Sequence, residues 1–175
     1  MTKNEICDLA ENYARGYNPE GLSPFPYEKI TSDKKDLDIY SVEIEEKVSG
    51  AILYIKEENR FRIVINKNKP QTRKNFTIAH ELGHYFLHKE IIKGNENLLV
   101  DEDNTLDGNN ILFRLDGAEA SKIETEANNF AAALIMPTSL VKDAWAAIKD
   151  VEECAKIFNV SVVAMSIRLE RLGLI

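Results

Sequence analysis

Phe76-Thr77-Ile78-Ala79-His80-Glu81-Leu82-Gly83-His84-Tyr85-Phe86-Leu87-His88 is an apolar run that contains an HExxH sequence, and it holds all three histidines of the chain at four-residue spacing. The apolar periodicity predicts a helix. Residues four apart on a helix lie one above the other, so the imidazoles of His80 and His84 can reach one metal ion while Glu81 projects beside them. Zinc suits that geometry: two His ligands leave room for a third protein ligand and an open position. The Glu between them is placed to take a proton from water bound there. His88 continues the same face a further turn along, about 6 Å by helical rise, and reads as a residue that supports a ligand rather than a ligand itself.

Outward from this segment, the flanks supply a sheet and more helices. Upstream, Val48 to Ile55 and Phe61 to Ile65 are rich in β-branched and aromatic residues, with Glu57-Glu58-Asn59-Arg60 suited to the turn of a hairpin. Asn66-Lys67-Asn68-Lys69-Pro70 closes the second strand, and a helix start follows near Thr72. Nearer the N-terminus, Ile6, Leu9, Ala10, Tyr13, Ala14 and Tyr17 recur at helical spacing up to Asn18-Pro19, whereas Ser32-Asp33-Lys34-Lys35-Asp36 reads as a solvated loop.

Downstream, the pattern fades from Lys89 to Lys122, where an acidic, turn-rich segment reads as a solvated flap near the site. Asp103, Thr105, Asp107 and Gly108 superficially match a calcium loop. The position that requires a bidentate Glu is Arg114, which argues against one. Ile123 to Met136 is helical again and ends at Pro137, and Leu140, Val141, Ala144, Trp145 and Ile148 make another amphipathic helix. Residues 155–169 have the rhythm of a helix-turn-helix broken at Asn159-Val160-Ser161. Its second helix offers Arg168 and Arg171 rather than a basic stripe, which favours packing or protein docking over reading DNA.

A third ligand is expected from the acids on the helix after the acidic segment. Glu124 aligns with Ala127 and Ala131, small residues that permit close approach to the metal helix, and Asn128 lies one turn on. The carboxylate can then bind the metal while the amide fixes the ring of a ligating His. Glu126 aligns with Phe130 and is the alternative ligand.

Composition bounds the rest. At 175 residues and 44% hydrophobic content the chain can bury one core of ordinary size, so a single domain over 1–175 is expected, with 138–175 as a helical subdomain on the same core. Lys and Arg number 22 against 29 Asp and Glu, a net charge of -7, which opposes a surface built to hold nucleic acid. Two distant cysteines, Cys7 and Cys154, support neither a disulfide framework nor a zinc knuckle. The sequence Met1-Thr2-Lys3-Asn4-Glu5 begins no signal peptide, and no run is long enough to span a bilayer, so a cytoplasmic protein without membrane contact is expected.

Taken together, Arg73 to His84 with Leu87-His88, and Glu124-Thr125-Glu126-Ala127-Asn128-Asn129-Phe130 through Met136-Pro137, resemble the two motifs of ImmA/IrrE-type metallopeptidases. The order also resembles gluzincins, whose third ligand is a Glu on a later helix with Asp or Asn one turn on. The resemblance implies an α+β fold, a small antiparallel sheet with the HExxH helix, a second motif helix and a helical C-terminal subdomain. It further implies Zn2+ held by His80, His84 and Glu124, and Glu81 as general base in peptide hydrolysis, with Asn128 and His88 supporting the ligands. Family members are associated with cutting helix-turn-helix repressors, so the implied partner is a transcriptional repressor. Two rivals stand beside this: a regulatory binding protein that keeps the fold without cutting, and a DNA-binding regulator acting through the C-terminal helices. Tyr85 and His88 are the nearby candidates to stabilise an oxyanion.

Overall fold

Alternation in the middle of the chain builds the platform on which everything else rests. In the computed structural model, which describes the backbone of residues 1–95, 99–102 and 117–175 and the side chains of 1–94 and 118–175, β1 (Leu37–Val42), β2 (Val48–Ile55), β3 (Arg60–Asn66) and β4 (Leu99–Glu102) form one sheet in the order β1-β3-β2-β4. Along β3, Phe61, Ile63 and Ile65 turn into the core while Arg60, Arg62 and Val64 are only half-buried, the period-two pattern of a sheet with one covered face. β2 and β3 pair antiparallel across a turn in which Asn59 takes φ of 51°, a conformation Asn tolerates better than most residues.

The α+β class holds, but the sheet is mixed rather than wholly antiparallel. β1 runs parallel to β3, with Leu37 opposite Phe61 and Val42 opposite Asn66. Its sequence, Leu37-Asp38-Ile39-Tyr40-Ser41-Val42, is an edge strand with charged and exposed positions, so it lacks the apolar run that marks β2 and β3. The solvated loop expected at 32–36 is in part the end of a short helix, α2 (Tyr27–Asp33). Where the pattern fades after Lys89, the chain forms α4 (Lys89–Asn95) and then β4, which pairs antiparallel with β2. The calcium-like run from Asp103 lies outside the described residues, as does most of the expected flap.

Helices cover the inner face. α1 (Lys3–Tyr17) starts from a capping box between Thr2 and Glu5 and buries Ile6, Ala10 and Ala14. α3 (Gln71–Leu87) crosses the sheet so closely that a Cβ on Gly50 of β2 would lie 2.6 Å from Thr77 Cγ2. Arg73 Nε donates to the buried Ser49 Oγ at 2.8 Å, which ties the first turn of α3 to β2. The second motif helix, α5 (Gly117–Ile135), packs against α3, and Pro137 separates it from α6 (Thr138–Ile148).

The chain ends in α7 (Val151–Phe158) and α8 (Val162–Arg171), joined through Asn159 in the left-handed conformation, with Ser161 capping α8. Cys154, Phe158, Met165 and Leu169 from this pair share one hydrophobic core with Ile6, Ile63, Leu82 and Phe130. Arg168 is buried: its Nε donates to Met136 O at 3.0 Å and its Nη2 to Thr138 Oγ1 at 3.2 Å, with Glu11 Oε1 at 3.3 Å. Arg171 donates to Asn129 Oδ1 at 3.0 Å. Both guanidiniums that the sequence offers on the last helix therefore bind within the fold. Among the described residues, no single helix is long and apolar enough to cross a membrane.

Candidate metal centre

Two helices bring the site together, and small residues let them. A Cβ on Gly83 of α3 would sit 3.0 Å from both the Cα and the carbonyl oxygen of Ala127 on α5, so the two backbones are nearly in contact there. Three residues either side of that contact are His80 and Phe86 on α3, and Glu124 and Phe130 on α5. The polar pair and the aromatic pair are thus set at fixed distances from one close crossing. Phe86 stacks on Phe130 at 5.6 Å and on Tyr13 of α1 at 4.1 Å, which fills the apolar side of the crossing.

On the polar side His80 Nε2 and His84 Nε2 lie 3.0 Å apart. The Glu124 carboxylate closes the triangle, with Oε2 3.2 Å from His80 Nε2 and Oε1 3.4 Å from His84 Nε2. All three side chains are buried, and their ligand atoms fall within 4.8 Å of one another, so they can hold a metal ion. Glu81, 1% exposed, sits on the same helix between the two histidines.

The charge state suits a cation. Burial pushes His84 down to about 4, with only partial opposition from Glu124 and reinforcement from His80, so its ring is neutral at pH 7. Burial raises the Glu124 carboxyl, but its contacts with His80 and His84 outweigh that and hold it below the usual carboxylate range. The neutral ring of His84 and the Glu124 carboxylate thus converge with His80 away from water.

The outer faces of both rings are occupied. His80 Nδ1 lies 3.0 Å from Asn128 Oδ1; as the amide oxygen can only accept, the ring carries its proton on Nδ1 and turns the lone pair of Nε2 into the triangle. His84 Nδ1 lies 3.1 Å from His88 Nδ1, and His88 Nε2 lies 3.0 Å from Glu126 Oε2. Burial lowers the pKa of His88, with Glu126 acting against it.

Of the sequence expectations, the structure brings His80, His84 and Glu124 together, with Asn128 on one ring and His88 on the other. Glu126, the alternative ligand, faces His88 instead of the triangle. Sequence reasoning missed that contact because it looked for partners along α5, whereas the partner is His88, the residue that caps the C-terminus of α3. Tyr85 is committed elsewhere: fully buried, it donates to Asp36 Oδ1 at 2.6 Å, and Lys89 Nζ sits 3.7 Å from its ring centroid. It is therefore not a group waiting for an oxyanion, and both nitrogens of His88 are likewise engaged.

A sequence model of the IrrE N-terminal-like domain (Peptidase_M78) matches residues 30–170, a span that includes the sheet, both motif helices and the C-terminal pair. The chain belongs to this metallopeptidase family. It is similar to Metallopeptidase ImmA of Bacillus subtilis (strain 168), with 30% identity over 127 residues, covering 71% of this chain and 64% of that protein. In structure it is similar to a Mycobacterium tuberculosis transcriptional regulator, with a TM-score of 0.61 at 15% identity, covering 95% of this chain and 47% of the other. At that identity the likeness is one of fold. The chain spans just under two thirds of the Bacillus relative and about half of the mycobacterial one.

Proposed function

We propose that this M78-family chain is a zinc-dependent endopeptidase that acts in the cytoplasm on a helix-turn-helix transcriptional repressor, and that 1–175 works as one unit with 138–175 packed on its core. The observation that carries the reading is the buried triangle of His80, His84 and Glu124. Zinc is the favoured ion because a tetrahedral site with ligands at about 2.0–2.1 Å places neighbouring ligand atoms about 3.3 Å apart. The three sides here measure 3.0, 3.2 and 3.4 Å. The nitrogen and carboxylate donors also match zinc preferences, and Asn128 holds His80 in the tautomer that a ligand needs.

When bound, the ion supplies Lewis acidity, which polarises the scissile carbonyl and makes water more acidic. Glu81 then works as general base and acid. Its carboxylate accepts a proton as the water oxygen forms its bond to the carbonyl carbon, and it returns that proton to the amine nitrogen as the C–N bond breaks. Its burial beside the triangle favours this role, since proton exchange with bulk water competes poorly there. The repressor as substrate rests on the family resemblance.

The test uses the zinc-loaded protein and its Glu81→Gln variant, with purified helix-turn-helix repressors as probes and mass spectrometry to find new termini. Gln keeps the size of the side chain and leaves all three ligands in place but cannot take a proton. Cleavage should fall by roughly 10²–10⁴ with zinc content unchanged. Undiminished cleavage by the variant would exclude this mechanism. If neither protein cuts, yet both release a repressor from its operator, the chain is a binding protein that has kept the fold.

A further inference from the structure

We infer that Glu126 and His88 form a two-residue relay that sets the tautomer and orientation of His84, so that the acid passed over as a ligand governs metal affinity from one residue further out. The inference rests on the metal-site reading above and adds to it an assignment of every proton along the chain from Glu126 to the triangle.

The assignment follows from the three contacts. The 3.1 Å approach between His84 Nδ1 and His88 Nδ1 needs one proton, which belongs to one ring or the other. Suppose His88 donates it. His84 then carries its own proton on Nε2, aimed into a triangle where His80 Nε2 is 3.0 Å away, and it can no longer serve as a ligand there. His88 would also turn a bare Nε2 lone pair toward Glu126 Oε2 at 3.0 Å, acceptor against acceptor. The other polarity removes both conflicts. His84 Nδ1–H donates to His88 Nδ1, His88 Nε2–H donates to the Glu126 carboxylate, and the lone pair of His84 Nε2 is left for the metal.

The two ligating rings are thus held in different ways. His80 leans on a neutral amide that comes from the same helix as the third ligand. His84 leans on a second imidazole backed by a carboxylate, and the negative end of that relay makes the ring a stronger electron donor. Placement fits the division of work: the His88 side chain is 4% exposed, while that of Glu126 is 17% exposed and reaches the solvent edge of the site.

Zinc affinity by competition with a chelator, together with nitrogen-15 NMR of histidine-labelled protein, tests the relay. The zinc-loaded wild type should show protons on His84 Nδ1 and on His88 Nε2. A proton on His88 Nδ1 overturns the assignment without touching the metal site. Glu126→Leu and His88→Phe should each weaken zinc by about 10–100-fold, the range typical when a ligand loses its supporting partner. Glu126→Gln, whose amide oxygen still accepts from His88, should recover most of the loss, a rescue that a merely space-filling role does not predict. Because Glu126 is partly exposed, its variants test the relay even if His88→Phe fails to fold. Equal zinc affinity in wild type and Glu126→Leu defeats the relay, whereas a wild type that takes up no zinc defeats the site reading and the relay with it.

Discussion

Two of the buried polar clusters among the described residues are built on opposite terms. Around Arg168, donors meet acceptors: the guanidinium donates to Met136 O and Thr138 Oγ1, and Glu11 Oε1 takes the amide and hydroxyl of Thr138. Positive and negative charge cancel within one network that links α1, the α5–α6 joint and α8. Around His84, by contrast, two ring nitrogens and a carboxylate face one another at 3.0–3.4 Å. The first cluster closes on itself and reads as architecture. The second can accept a cation and reads as a candidate site. Burial alone does not separate them; the balance of donors and acceptors does.

Removing one member of each cluster gives the largest expected contrast. Arg168→Met takes the cation from Glu11, which keeps only the amide and hydroxyl of Thr138, and leaves Met136 O without that donor, and should destabilise the fold by about 3–5 kcal/mol. Per zinc bound to folded protein, affinity should stay near that of the wild type. His84→Ala should do the reverse, abolishing stoichiometric zinc while the metal-free protein keeps most of its stability. Urea unfolding and elemental analysis on both variants decide the matter, and the comparison breaks if Arg168→Met loses zinc in its folded state.

Acid should separate the clusters next. The folded pKa of His84 is about 4 against an ordinary value of 6.5. Its contribution is therefore fully present above pH 6.5, declines as the pH falls, and is lost once the pH drops below 4. The size is about 3 kcal/mol, from 1.36 kcal/mol for each pH unit of the shift. Glu124 acts in the same direction at lower pH, because its carboxyl is also held below its ordinary value of 4.5. Urea midpoints of the metal-free protein should thus fall between pH 6.5 and 4, more steeply than in His84→Ala. A slope unchanged by that substitution would show that other groups govern acid stability.

How far the sequence discloses each cluster depends on the range of its contacts. The triangle is legible because two ligands sit four residues apart on one helix, and the third lies on a helix whose small residues advertise close packing. Fold class is legible for a similar reason, since β3 alternates cleanly and α5 ends at a proline. The parallel pairing of β1 is not, because an edge strand with exposed Tyr40 and Val42 carries no clear period. The closed cluster is not legible either. Glu11 and Arg168 lie at opposite ends of the chain, and nothing in their neighbours marks an arginine as buried rather than solvated. The Glu126–His88 contact falls between these cases: the four-residue step to His88 was visible, its partner across the crossing was not.

The close crossing itself offers the smallest and sharpest test. In most exposed helix positions, Gly→Ala stabilises by up to about 1 kcal/mol, because glycine has more freedom to lose on folding. Gly16 on α1 is such a position: nothing lies within 4 Å of the added Cβ, and Gly16→Ala should stabilise. At Gly83 the same atom would press on the Cα and carbonyl oxygen of Ala127 at 3.0 Å and on Phe130 Cβ at 3.3 Å, mostly backbone that cannot rotate away. Overpacking of this kind costs about 1–3 kcal/mol, enough to reverse the propensity gain. Because Ala127 sits between Glu124 and Asn128, the displacement of α5 should also draw a ligand and the support of His80 away from α3, so zinc affinity should fall as well. Opposite signs for the two alanines in thermal unfolding, with zinc weakened only in Gly83→Ala, would tie the metal centre to that one contact. Two stabilising alanines would mean that the helices have room to spare, and that the geometry of the triangle is set by its own polar groups instead.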